Sequence, residues 1–153
     1  MLRIVPGDFS DPRIVALLDT HVTSARAQTA PGSAHALDLT GLQSPDVLFW
    51  AIWEDDELLG VGALKQLSPT EGEVKSMHTS QSTRRRGAGS AMLRHIIESA
   101  RKNGMTRLSL ETGSWDYFIP ARTFYQHHGF IECPPFGDYK ADPHSVFMTL
   151  DLT

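Results

Sequence analysis

The stretch Arg84-Arg85-Arg86-Gly87-Ala88-Gly89 brings together the residue types that hold phosphate. Gly87 and Gly89 let main-chain N–H groups approach an anion without interference from a Cβ, and three guanidinium groups flank them. The apolar stripe that follows marks a helix. Its first N–H groups have no intrahelical partner, and its dipole turns a positive end to the same spot, onto Ser90 as well. A pyrophosphate fits this arrangement. A dinucleotide fingerprint would need a third glycine where Met92 stands, and a Walker loop would need Gly-Lys-Ser/Thr, so neither motif applies. The formal net charge is -4, which makes the basic cluster a local feature. It favours a small anionic ligand and argues against a nucleic-acid partner.

The elements that must position this loop can be read outward from it. Met92, Leu93, Ile96, Ile97 and Ala100 form one stripe on a helix over 88–102, closed by Asn103 and Gly104. Ahead of the loop, residues 73–78 alternate as a strand, setting Val74, Ser76 and His78 against Glu73, Lys75 and Met77. Residues 2–5 predict a first strand. Asp11 and Pro12 read as an N-cap and first helical position, and Ile14, Leu17, Leu18 and Val22 carry that helix to about residue 28. A short helical pattern covers 34–42. Residues 47–53 and 58–67 form a hairpin about an acidic turn. Residues 107–111 and 146–152 predict strands, with a helix over 121–128 behind Pro120 and stopped by Gly129. This order predicts a mixed sheet covered by helices.

Composition narrows the class. With 153 residues, 41% of them hydrophobic and 21% charged, the chain suits one domain over 1–153. No apolar run approaches the ~20 residues that span a bilayer, and the first eight residues lack a basic-then-apolar signal, so a cytoplasmic protein with no membrane partner is expected. The lone Cys133 agrees with a reducing compartment. His35, His78 and Cys133 lack metal-ligand spacing, and no metal is expected.

Taken together, the run Glu73-Val-Lys-Ser-Met77-His78-Thr79, the loop with Arg84, Gly87 and Gly89, the amphipathic helix, and Ala121, Tyr125, Gly129 and Phe130 on the downstream segment resemble the GCN5-related N-acetyltransferase (GNAT) family. The resemblance covers about residues 45–152. It implies an α/β (α+β) fold, with a mostly antiparallel sheet flanked by helices and a splayed central strand pair. It implies acetyl-CoA as cosubstrate, with pyrophosphate on the amides of residues 85–90, Ala88 included, and pantetheine pairing with main-chain groups of Met77 and Thr79.

The same resemblance implies acetyl transfer to an amine. A primary amine with pKa near ~10.4 lies about 3.4 units, or roughly 4.6 kcal/mol, from its neutral form at pH 7, so a base must take its proton. Glu73 is the first candidate, directly or through water, and Glu111 on the neighbouring strand is the second. Tyr125, a phenol protonated at pH 7, is the natural donor to the leaving thiolate, and the N–H of Met77 or His78 would stabilise the oxyanion. Many family members carry asparagine at the position of Phe118. Here Trp115, Asp116 and Phe118 supply aromatic and acidic surface near the acetyl group, and the segment 28–42, with His35, would roof a pocket for a small amine acceptor.

A non-catalytic acyl-CoA-binding module and an unrelated nucleotide-phosphate binder are the competing readings. A homodimer through the last strand and residues 136–139 is compatible with the sequence.

Overall fold

Seven strands form one sheet in the order β1-β2-β3-β4-β5-β7-β6 in a computed structural model that describes residues 2–30, 39–80 and 87–153. The strands are β1 (Leu2–Pro6), β2 (Val47–Glu54), β3 (Glu57–Gln66), β4 (Glu71–Thr79), β5 (Arg107–Gly113), β6 (Ile131–Cys133) and β7 (Ser145–Asp151). The helices are α1 (Pro12–Ala27), α2 (Leu39–Leu42), α3 (Ala88–Lys102) and α4 (Ile119–His127), with a 3-10 turn at Asp116–Phe118. Every adjacent pair runs antiparallel except β4 and β5, which are parallel. His35 and Arg84 to Arg86 lie outside the described residues, as does most of the short helix expected over 34–42.

Local chemistry accounts for the start of α1 and the end of α3. The Asp11 carboxylate accepts from the N–H of Arg13 and Pro12 occupies the first turn, so α1 starts where a capping side chain meets a proline. Gly104, at φ +79, ends α3 in the left-handed conformation that a Cβ would disfavour.

The sheet divides two cores. On one face the α3 stripe Met92, Leu93, Ile96, Ile97 and Ala100 packs on Ile52, Leu59, Leu64, Val74, Leu108, Leu110 and Met148. A Cβ on Gly62 would stand 2.8 Å from Met92, so glycine there permits α3 its close seat. On the other face Ile14 and Leu18 of α1, with Leu42, cover Phe49, Ala51, Trp53, Val61 and Ala63.

Two features of β4 position the site. First, its pairing with β5 is limited to Glu71, Gly72 and Glu73 against Arg107, Leu108 and Ser109; both strands run on, to Thr79 and Gly113, with no further pairing to each other. The strands therefore part after Glu73. Second, the β3–β4 register shifts between Val61 and Ala63, where Ser76 takes a left-handed φ of 54. The extra residue is a β-bulge and it breaks the expected alternation. Val74 and Met77 both pack toward the α3 core, whereas Lys75 meets Tyr139 and His78 meets His21 of α1. Strict alternation had placed His78 with Val74 and Met77 with Lys75.

Candidate active site

The parting of β4 from β5 opens a cavity of about 640 Å³. The β4 segment Val74 to Thr79 and the β5 segment Leu110 to Gly113 border it. On the α3 face its wall is Gly87, Gly89 and Ser90, then Tyr117, Phe118, Pro120, Ala121, Phe124 and Tyr125; on the α1 face it is His21, Ala25 and Thr29. The cavity thus joins the start of α3 to the face of the sheet beneath α1.

The start of α3 suits a diphosphate. Gly87 is its N-cap at φ +80 and provides no side-chain hydrogen bond, so no cap from that position occupies the amides of the first turn. Among the described residues nothing stands within 4 Å of the place a Gly87 Cβ would occupy, and the backbone conformation itself calls for glycine there. A Cβ on Gly89 would stand 3.6 Å from Phe124 and 3.7 Å from Thr79, and would narrow the groove between them. Met77, His78 and Thr79 lie on the cavity border along the β4 edge that β5 has left. That edge can pair its main chain with the amides of an extended ligand.

Tyr125 is 8% exposed, packs edge-on against Phe124 and Phe130, and lines the cavity. Burial raises the pKa of its phenol, which keeps the proton on the oxygen. Downstream, Arg122 donates to the Gly113 carbonyl at 2.8 Å and ties α4 to the end of β5.

The two carboxylates expected to compete as base are placed differently. Glu111 is on the cavity wall. Glu73 is 3% exposed and is not on that wall; its Oε2 accepts from the Tyr139 hydroxyl at 2.6 Å and lies 3.3 Å from Lys75 Nζ. Lys75 Nζ in turn donates to the Tyr139 oxygen at 3.0 Å. Burial, the Glu73 charge and hydrogen bond, and Glu111 together push the Tyr139 phenol far up, so it acts as a fixed donor. Of the expected aromatic residues, Phe118 lines the cavity, packed under Gly113 where any Cβ would collide with its ring; Trp115 is 42% exposed, and neither it nor Asp116 is on the wall.

Sequence reasoning missed Lys75, His21 and Tyr139. His21 continues the Ile14 and Leu18 face of α1 by the next turn, so its helical position was a readable signal. Its ring lies 5.0 Å from that of His78, and burial, helped by His78 and Lys75, pulls its pKa down to about 4. Tyr139 had been grouped with Phe136 as dimer surface. Within the chain, both rings pack on Phe147.

A sheet parted at one parallel pair beneath a helix start is the arrangement that the resemblance implied for a CoA thioester. The model of the Acetyltransferase (GNAT) family matches residues 15–130. The uncharacterized N-acetyltransferase YsnE of Bacillus subtilis (strain 168) is 50% identical over 151 residues, 99% of this chain and 100% of the relative. A solved structure from Klebsiella pneumoniae, named for acyl-CoA N-acyltransferase activity, superposes with a TM-score of 0.83 at 27% identity, over 100% of this chain and 99% of that one. A Bacillus subtilis acetyltransferase solved in complex with CoA superposes with a TM-score of 0.74 at 22% identity, over 100% of both chains. The chain belongs to the acetyltransferase (GNAT) family; it is an acetyltransferase with an acyl-CoA cosubstrate. Among the described residues, no helix is long and apolar enough to cross a membrane.

Proposed function

We propose that the protein transfers an acetyl group from acetyl-CoA directly to the amine of a small acceptor, with Glu111 as general base and Tyr125 as general acid. The observation that carries this reading is the cavity between the parted strands. It runs from the start of α3, along the β4 edge that β5 has left, to the wall carboxylate Glu111.

When bound, the cosubstrate supplies an activated acyl carbon and a thiol leaving group. The chain supplies the rest. The first-turn amides of α3 hold the diphosphate, and the β4 edge fixes the arm that carries the thioester. Glu111 takes a proton from the acceptor ammonium, directly or through one water, leaving a neutral nitrogen that bonds to the acyl carbon as the carbon–sulfur bond breaks and then sheds its second proton to water. Tyr125 donates to the departing sulfur, and its raised pKa suits a group that lends a proton without standing ionised. Glu73 is better suited to holding Lys75 and Tyr139 than to exchanging protons with the cavity.

The test measures acceptor-dependent CoA release and CoA affinity together. Glu111→Gln should lower kcat by about 100-fold, the usual scale for a general base, with CoA affinity within twofold of wild type. Tyr125→Phe should lower kcat by a similar factor throughout pH 6 to 9, because the phenol stays protonated over that whole range. Unchanged turnover in either variant sinks the role assigned to that residue. If none of a panel of small amines elicits CoA release, the small-amine acceptor is wrong.

A further inference from the structure

We propose that the acceptor carries a carboxylate beside its amine, as an amino acid does, and that Lys75 and Glu111 read the two charges from opposite sides of the parted strands. This deepens the acetyl-transfer reading and rests on it.

The register places the two groups. Glu73 pairs with Ser109 as the last contact of the parallel strands. Residues two further along each strand return to the same face of the sheet, so Lys75 and Glu111 stand on either side of the opening, both on the cavity wall. Among the described wall residues Lys75 is the one lysine or arginine and Glu111 the one carboxylate. One fixed cation facing one fixed anion complements a zwitterion. A polycation such as a polyamine would need further carboxylates and would meet Lys75 as a like charge.

The partners of Lys75 show how its charge is aimed. Glu73 and Tyr139 hold its ammonium at 3.3 and 3.0 Å, and neither is on the wall, so of this buried pair it is the lysine that borders the cavity. A buried ion pair is a weak source of stability, because desolvating two charges offsets much of their attraction. Orienting a cation for a ligand is a use that its position supports. His21 borders the same end with a ring kept neutral, able to hydrogen-bond without adding charge. Ser76, on the β4 bulge between Lys75 and His78, has a buried hydroxyl with no hydrogen-bond partner among the described residues, which adds a polar group at this end of the cavity.

The experiment compares matched acceptors on the wild-type protein: phenylalanine with phenethylamine, and leucine with isoamylamine, each followed by acetyl-CoA-dependent thiol release, with CoA affinity measured by calorimetry. The amino acid should exceed its decarboxylated partner in kcat/KM by at least about tenfold, the scale of one charge-assisted contact. In the double variant Lys75→Met/Glu73→Gln, which removes both members of the pair and leaves no unpaired buried charge, that ratio should fall toward one, mainly through KM. Amines that match or exceed the amino acids, or a preference that survives in the double variant, overturn the carboxylate assignment while leaving acetyl transfer standing. Thiol release with neither series, from a protein that binds CoA, overturns both.

Discussion

At the scale of single residues, His21 shows what it takes to line this cavity with an ionisable ring. Its pKa of about 4 lies well below the ordinary 6.5, because burial disfavours the charged form. In the unfolded chain the ring protonates below pH 6.5, while in the folded chain it stays neutral until about pH 4. The stability that His21 contributes is therefore present above pH 6.5 and is lost as pH falls toward 4. Between pH 7 and pH 5 this amounts to about 2 kcal/mol. Urea unfolding should show the wild type losing that much more than His21→Gln over this interval; parallel losses would mean that the ring is solvated. Residues of this kind divide by how local their signal is. The placing of Gly87 at the start of α3 and of Tyr125 on α4 was legible, because turn chemistry and a short helical motif sit beside them in the chain. The partners of Glu73 were not, because Tyr139 reaches it across 66 residues through a loop with no periodic pattern. Without Tyr139 in view, a carboxylate on a strand under the cosubstrate reads as a base.

At the scale of elements, α3 and β4 carry the most function, and they differ in how far the sequence announces them. The stripe, glycine turn and closing Asn103-Gly104 define α3, and its observed bounds, Ala88–Lys102, match those expected from the pattern. In β4 the period of two predicts a flat strand, but one extra residue at Ser76 swaps the faces of Met77 and His78. The bulge depends on what β3 offers opposite, so no reading of β4 alone could supply it. The prediction at this scale concerns the start of α3. Gly87→Ala places a Cβ at φ +80, where an L-residue costs roughly 1–2 kcal/mol. Nothing crowds that position, so the protein should remain folded, with a Tm lower by several degrees, on the order of 2–4 °C per kcal/mol for this length. If the turn presents its amides to the diphosphate, CoA affinity should fall by tenfold or more in calorimetry. Lost stability with unchanged affinity would make Gly87 a folding residue only.

At the scale of the whole molecule, the sheet is two halves joined at a narrow seam. Strands β1 to β4 pair continuously, as do β5, β7 and β6, and the two groups share three register pairs, Glu71 to Glu73 with Arg107 to Ser109. The order of elements along the chain foretold a mixed sheet, yet it could not foretell the seam, because strand separation is a property of packing and leaves both strands their ordinary composition. A ligand lying in the opening contacts both halves and should act as a clasp. Binding to the folded state alone stabilises by about 2.7 kcal/mol at one hundred times the dissociation constant, equivalent to a rise in Tm on the order of 5–11 °C for a chain of this length. Hydrogen exchange locates the effect. With CoA present, amides of residues 76–79 and 110–113 and of the first turn of α3 should gain protection together, while β1 and β2, far from the seam, should change little. Protection confined to the α3 turn would mean that the diphosphate is held and the strand edge is not used. A uniform gain over every strand would show that the halves already open as one unit, and that the seam is not where the fold yields.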